Sequence, residues 1–161
     1  MNKIKKKTEA SKLQRVYIRN KRAFYDFKIG ERFEAGIVLT GQEVRSVKRG
    51  QASLADSFVR VRENEATLVN AYIAPYQQAN TKGYDPRQSC RLLLNKGELM
   101  ALVGKTAGTN LVVVPTAIYV KHGFVKVELA LARGKRQFEK REELRRRDIN
   151  RATEQQLRGK A

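Results

Sequence analysis

RFEAGIVLTGQEVRSVKRG, residues 32–50, decides how the chain is read. In its first half Phe33, Ala35, Ile37 and Leu39 fall on one side of an extended backbone and Glu34, Gly36 and Val38 on the other, the period-two pattern of a half-buried strand. The pattern then changes. Thr40 followed three residues later by Glu43 is a capping box, in which hydroxyl and carboxylate satisfy the free backbone donors of a helix start. Gly50 stands where a helix ends in a left-handed residue. A strand running directly into a short capped helix is therefore expected here.

Working outward, the same alternation recurs. Tyr25, Phe27 and Ile29 alternate with Asp26 and Lys28, and Gly30 is read as a turn between this strand and the next. Residues 56–73, DSFVRVRENEATLVNAYI, predict a hairpin around Glu63-Asn64-Glu65, its second strand ending before Pro75. Asn95 and Glu98 offer a second capping signal for a helix KGELMALVG over 96–104. Two further strands, LVVVPTAIYV and FVKVELALA, flank a Lys121-His122-Gly123 turn, with Pro115 marking an edge or bulge. Six strands with hairpin-like connections predict a mainly β domain: a small antiparallel six-stranded barrel resembling an oligonucleotide-binding fold, with two or three short helices and a basic C-terminal tail.

The division expected is a flexible basic arm over 1–22, a β-barrel over 23–132 and a basic tail over 133–161. The arm carries nine lysines and arginines against Glu9. In the tail Phe138, Leu144, Ile149 and Leu157 form no i, i+3, i+4, i+7 stripe, although the composition favours helix. An undocked helix is marginal in water, so the tail is expected to be unstructured alone and to fold on a partner.

Charge narrows the partner. Among 161 residues, 34 Lys and Arg against 16 Asp and Glu give a formal +18, while 41% hydrophobic residues are enough for one core. Such a field favours a polyanion. No apolar run approaches a membrane span, the N-terminus lacks the apolar stretch of a signal peptide, and Cys90 stands alone, so a cytoplasmic protein without intrachain disulfide is expected. No cofactor is called for.

Gly104-Lys105-Thr106 imitates the end of a phosphate-binding loop, but Leu99 occupies the position of the first glycine and the segment follows a helix. His122 lies in a turn with no second ligand at metal spacing. Glu43 is accounted for by capping. Glu34 is an acid on a cationic surface, placed either to pair with a neighbouring arginine or to accept hydrogen bonds from RNA. Tyr84, Tyr119 and Phe138 are candidate stacking residues, of which only Phe138 lies outside the barrel.

Several ordered blocks resemble the SsrA-binding proteins, also called small protein B, of bacterial ribosome rescue. They are Asn20-Lys21-Arg22-Ala23, EAGIVLTGQEVRSVKRG at 34–50, Asp56-Ser57-Phe58, Asp85-Pro86 with Leu92-Leu93-Leu94, KVELALARGK at 126–135 and EKR at 139–141. The resemblance implies a non-catalytic adaptor that binds the tRNA-like domain of transfer-messenger RNA (tmRNA) and brings it to ribosomes stalled on truncated messages. It implies Asn20, Lys21, Arg22, Glu34, Leu93 and Lys126 at the RNA-binding face. It puts Lys135, Arg136, Phe138, Glu139, Lys140 and Arg141 in a tail that senses the empty mRNA channel by the 30S decoding site. Elongation factor Tu and alanyl-tRNA synthetase are implied as partners through the RNA, and the protein is expected to be a monomer. Glu139, Arg45, Gln88 and Cys90 depart from the family pattern. Two other readings share the charge: a structural ribosomal protein with basic extensions, and an RNA-processing enzyme using Glu34 with a metal.

Overall fold

The computed structural model describes residues 14–159; the first thirteen residues of the arm expected over 1–22 lie outside the described residues. In chain order the elements are β1 (Gln14–Arg19), α1 (Lys21–Asp26), β2 (Phe27–Ile37), α2 (Gly41–Lys48), β3 (Ala52–Ser53), β4 (Phe58–Arg62), β5 (Glu65–Val69), β6 (Tyr72–Ile73), β7 (Cys90–Leu93), α3 (Lys96–Thr106), β8 (Val112–Lys121), β9 (Phe124–Gly134) and α4 (Gln137–Gly159). The architecture is mainly β, a large antiparallel sheet with four helices. Its strand order is β1-β8-β4-β5-β7-β2-β9, and β9 also pairs with β8, so the succession of pairings returns to β8. β3 and β6 form a separate two-stranded piece.

The alternation read from the sequence produces the core. Ala35 on β2, Leu68 on β5, Leu92 on β7, Ile118 on β8 and Val127, Leu129 and Leu131 on β9 are buried in one cluster, with Phe33, Ile37 and Leu39 packed against it. Each fully buried leucine contributes about 1.5–3 kcal/mol of transfer free energy. Val47 of α2 and Leu99 and Leu102 of α3 close the cluster.

Helix α2 starts and stops where its residues require. The Thr40 amide donates to Glu43 Oε2 at 2.8 Å and the Glu43 amide to Thr40 Oγ1 at 3.4 Å, completing the capping box. At the other end Gly50 has φ 72°. Its amide donates to Val47 O and that of Gln51 to Ser46 O, the paired bonds of a Schellman motif. Helix α3 begins at the predicted Asn95, but without a side-chain capping bond, and runs on to Thr106.

The structure differs from the sequence reading in three places between residues 14 and 30. Residues 14–22 are not an arm: β1 pairs with β8 and is followed by α1. Val16 and Ile18 already alternate with Arg15, Tyr17 and Arg19, and Ile18 enters the core; the density of positive charge hid a period-two pattern. Phe24, Tyr25 and Asp26 belong to α1 rather than to a strand, because Asn20 caps a helix there. Finally, Gly30 is no turn. β2 is continuous, its register with β9 shifting between Ile29 and Arg32, and a Cβ on Gly30 would lie 3.1 Å from Leu131 O. The glycine admits a close backbone approach at a bulge.

Residues 137–159 form a helix where the sequence predicts no structure of its own. None of its residues is buried. Among the described residues it is tied only at its root. The Lys135 amide donates to Asp26 O at 2.9 Å, Lys140 Nζ pairs with Asp26 Oδ1 at 3.1 Å, and Lys140 lies 5.5 Å over the Tyr25 ring. Glu139 Oε2 accepts from the Arg136 amide at 3.1 Å and its Oε1 pairs with Arg133 at 3.3 Å. Lys135 also pairs with Glu143. From Leu144 onward, among the described residues, the side-chain hydrogen bonds and ion pairs of α4 stay within the helix.

Because the ion pairs at the root are partly buried but still reached by solvent, and surface pairs are each worth about 0.2–1 kcal/mol, deleting residues 137–161 is expected to change the unfolding free energy by no more than about 2 kcal/mol. Urea denaturation followed by near-ultraviolet circular dichroism checks this; a larger loss would mean that α4 packs on the sheet.

Candidate nucleic-acid interface

Antiparallel register brings residues from four strands into one row. Gly36 on β2 lies opposite Leu93 on β7 and, on its other side, opposite Lys126 on β9, which in turn lies opposite Tyr119 on β8. Glu34 is two residues back on β2 and therefore shares the face of Gly36. Lacking a side chain, Gly36 leaves a depression of about 350 Å³ between the walls, lined by Glu34, Gly36, Leu93, Asn95 and Lys126 among others. Leu93 is 53% exposed at its edge.

Glu34 does not pair with an arginine. The Tyr119 hydroxyl and Lys121 Nζ, at 3.2 Å, both donate to Glu34 Oε2, and Oε1 receives a longer contact of 3.4 Å from Lys121. The phenol bond, more than the lysines, holds the Glu34 carboxyl below the usual glutamate range, against an opposing push from burial. The same arrangement drives the Tyr119 phenol well above its ordinary value, burial first and the carboxylate second. Directly opposite Glu34 is a second acid, Glu128, itself held by Arg32 at 3.0 Å and the Thr116 hydroxyl at 2.9 Å.

Three of the six residues expected at an RNA face, Glu34, Leu93 and Lys126, are thus gathered in one depression. The other three are elsewhere. Lys21 and Arg22 are exposed on α1, where Arg22 reaches Asp26 at 3.4 Å and Asp56 at 3.3 Å. Asn20 is 4% exposed. Its Nδ2 donates to Leu54 O at 3.1 Å and Pro115 O at 2.8 Å, and its Oδ1 accepts from the Ala23 amide at 3.1 Å. With both amide hydrogens and the oxygen engaged internally, it positions α1. A second depression, about 740 Å³, lies beside α1 and is lined by Asn20, Arg22, Asp26, Phe58, Lys135 and Lys140 among others; it shares no lining residue with the first.

Of the predicted tail residues, Lys135, Glu139 and Lys140 hold the root of α4, while Arg136 and Arg141 are exposed and Phe138 is 57% exposed. The Tyr84 hydroxyl donates to Ile73 O at 3.0 Å, and burial pushes its phenol up to about 12. Lys105 pairs with Glu31, and the Thr106 hydroxyl donates to Leu102 O at 2.8 Å inside α3, so neither is poised for phosphate. His122, φ 51°, occupies the predicted turn with Gly123. Gln88 Nε2 donates to the buried Glu43 carboxylate at 2.5 Å, and burial raises the Cys90 thiol to about 11. Among the described residues no three His, Cys, Asp or Glu side chains gather as a metal site, and no helix is long and apolar enough to cross a membrane.

Sequence reasoning missed Tyr119 as the partner of Glu34, Tyr25 and Asp26 as the socket for α4, and Phe124, which is 70% exposed beside the first depression. The first two depend on which strands are neighbours, which no local pattern reveals. Phe124 carried a signal, a large aromatic beginning a strand directly after a turn.

Comparison with known proteins adds independent information. The protein-family model described as SmpB protein matches residues 17–159. An SsrA-binding protein from a Sulfurihydrogenibium species is 47% identical over 147 residues, covering 91% of this chain and 97% of the relative. One from Persephonella marina is 44% identical over 146 residues, covering 91% and 96%. A solved structure described as "tmRNA-SmpB: a journey to the center of the bacterial ribosome" superposes with a TM-score of 0.64 at 43% identity, covering 80% of this chain and 94% of that one.

Two expectations test the geometry. Asn20→Ala removes a helix cap and leaves the Pro115 carbonyl without its donor, so it should cost about 2–3 kcal/mol in urea unfolding, whereas exposed Lys21→Ala should cost almost nothing. Tyr119→Phe should let the Glu34 carboxyl rise back toward the ordinary glutamate range, read by carbon-13 NMR titration. The sign follows from the depressed folded value: Glu34 adds stability at neutral pH that is lost as pH falls through that value, and the variant should show a smaller such loss.

Proposed function

Because the chain belongs to the SmpB protein family, we propose that it is the tmRNA-binding protein of trans-translation, an RNA-binding adaptor that acts with tmRNA on the bacterial ribosome. The observation that carries this reading is the likeness, at 43% identity over 80% of the chain, to a solved structure described as tmRNA-SmpB in the bacterial ribosome. Action on the ribosome makes the cytoplasm its place of work.

In this reading the ring of strand pairings from β8 through β4, β5, β7, β2 and β9 is a six-stranded barrel of the oligonucleotide-binding type, and it holds the tRNA-like domain of the RNA. Glu34, Leu93 and Lys126 meet that RNA directly. Lys21 and Arg22 neutralise phosphates from α1, and Asn20 sets the position of α1. The remaining arm over residues 1–13, with its lysines, adds to the cationic field. Elongation factor Tu and alanyl-tRNA synthetase meet the complex through the RNA.

The tail is a separate reader. Helix α4 buries none of its residues, so its exposed arginines are free to exchange water for ribosomal phosphate. An mRNA channel without message offers such phosphates along an open path; an occupied channel excludes the helix sterically. Vacancy is then what the tail detects, with Arg136, Phe138 and Arg141 entering and Lys135, Glu139 and Lys140 anchoring it to the globule. No bond is made or broken by the protein.

A binding titration of a transcript of the tRNA-like domain across salt concentrations tests the first half. With roughly six phosphates neutralised, a fourfold rise in salt should weaken binding by about a thousandfold; salt-independent binding overturns the reading. Truncation before Gln137 tests the second half. RNA affinity should persist while release of ribosomes stalled on truncated message is lost, and equal loss of both refutes the division of labour.

A further inference from the structure

Three guanidinium groups lie on tyrosine rings around α2, and none of the residues involved lines either depression described above. Arg45 and Arg49, one turn apart on α2, stand 5.5 and 4.9 Å over the ring of Tyr76, and Arg87 stands 5.5 Å over that of Tyr72. These three arginines and Lys48 are exposed, while Tyr76 is buried. Its seat is fixed. The hydroxyl of buried Ser46 donates to Ala74 O at 2.7 Å and the Ala74 amide to Gln51 O at 2.9 Å, so the segment leading to Tyr76 is tied to α2 and to the turn after it. Arg49 donates to the Tyr76 hydroxyl at 3.4 Å, which donates in turn to Gln78 at 3.0 Å. Arg87 Nη1 is held by Asn70 O at 3.2 Å.

Among the described residues, none of Arg45, Lys48, Arg49 and Arg87 takes part in an ion pair. The acids close by in the chain are engaged elsewhere: Glu43 is buried in the capping box, and Asp85 Oδ1 accepts the Arg87 amide at 3.0 Å. Cations gathered without acids repel one another, and the ring faces offset part of that cost. A guanidinium lying on a ring keeps its N–H edge free and its rotamer set, so it loses little freedom on meeting an anion. Such groups only donate, and what they read is phosphate or carboxylate.

The direction of the patch selects between the RNAs on offer. Helix α2 buries Glu43, Ser46 and Val47. Val44, on one flank of that buried side, lines a depression with Leu93 and Phe124 next to the one at Glu34. At 3.6 residues per turn, Arg45 and Arg49 lie about 100° and 140° round the helix from Val44, on the flank turned to Tyr76. An RNA held at Glu34 and Leu93 meets the Val44 flank and leaves the arginines facing outward. Resting on the function proposed above, we infer that Arg45, Arg49 and Arg87 dock on the phosphate backbone of ribosomal RNA and give the globular part a hold on the ribosome separate from that of α4. The four residues from Arg45 to Arg49 rise about 6 Å, close to the step between successive phosphates of an RNA strand. The tyrosines act as positioning residues for the guanidinium groups.

The test uses the full-length chain with Arg45→Gln, Arg49→Gln and Arg87→Gln combined, titrated across salt against salt-washed ribosomes without message and against a transcript of the tRNA-like domain. All three sites are exposed, and unchanged thermal unfolding verifies the fold. Ribosome affinity should fall roughly tenfold or more, with the slope of log affinity against log salt reduced by about two to three, while transcript affinity stays within about twofold. In a second arm Lys48 is replaced by p-azidophenylalanine in the otherwise wild-type chain and irradiated on ribosomes with the transcript bound; the adduct should form with ribosomal RNA. Unchanged ribosome affinity and salt slope in the triple variant overturn the docking surface and leave the proposed function standing. A parallel loss of transcript affinity, or an adduct with the transcript, assigns the patch to tmRNA and overturns it. An adduct with ribosomal protein alone overturns it in favour of an acidic protein partner. Failure of the wild-type chain to bind either the transcript or the ribosome removes the proposed function as well.

Discussion

The fold turns on the bulge in β8. The register between β8 and β9 shifts between Pro115 and Ala117, leaving Thr116 outside the ladder, and Pro115 has no amide to give. Two carbonyls therefore need donors from elsewhere. Asn20 supplies both, its side chain at Pro115 O and its backbone amide at Thr116 O, each at 2.8 Å, while its second amide hydrogen reaches Leu54 O. One residue thus joins the end of β1, the start of α1, the middle of β8 and the loop before β4. Unmade, these bonds would leave buried polar groups unpaired at about 1–3 kcal/mol each.

From that junction the charge is divided. Helix α1 points its basic first turn to solvent and its acidic last residue toward the tail, and Asp26 is shared between Arg22 and Lys140. The basic first turn of α1 and the root of α4 are therefore linked through one carboxylate. In the depression at Gly36 the rule is opposite: Glu34 is an acid that the protein keeps ionised with a buried phenol and a lysine, amid a surplus of cations. A uniformly basic surface binds any polyanion; one carboxylate held in place adds selection.

How far the sequence could be read depended on range. The capping box at Thr40 and Glu43, the glycine stop at Gly50, the turn at His122 and Gly123 and the bulge near Pro115 are short-range signals, and each is present in the structure. Glu34, Leu93 and Lys126 were found together because their resemblance to a family joined what 92 residues of chain separate. Gly30 misled because a glycine serves a turn and a bulge equally well, and only the carbonyl of Leu131 distinguishes them. β1 was missed because lysine and arginine dominate the first twenty residues while its apolar positions, Val16 and Ile18, are few. Asn20 was expected at a surface and is buried; a residue can match a family motif because it supports a binding face from behind.

The anchoring of α4 has a mechanical corollary. Twenty-three residues at 1.5 Å each make a rod of about 34 Å, fastened, among the described residues, only over its first two turns. Tilting such a lever by about 10° at Asp26 carries its tip about 6 Å, more than the pitch of a helix turn. Small adjustments beside Arg22 are thereby magnified into large excursions at Leu157, and the stiffness of a few ammonium–carboxylate pairs governs how widely the distal arginines sweep.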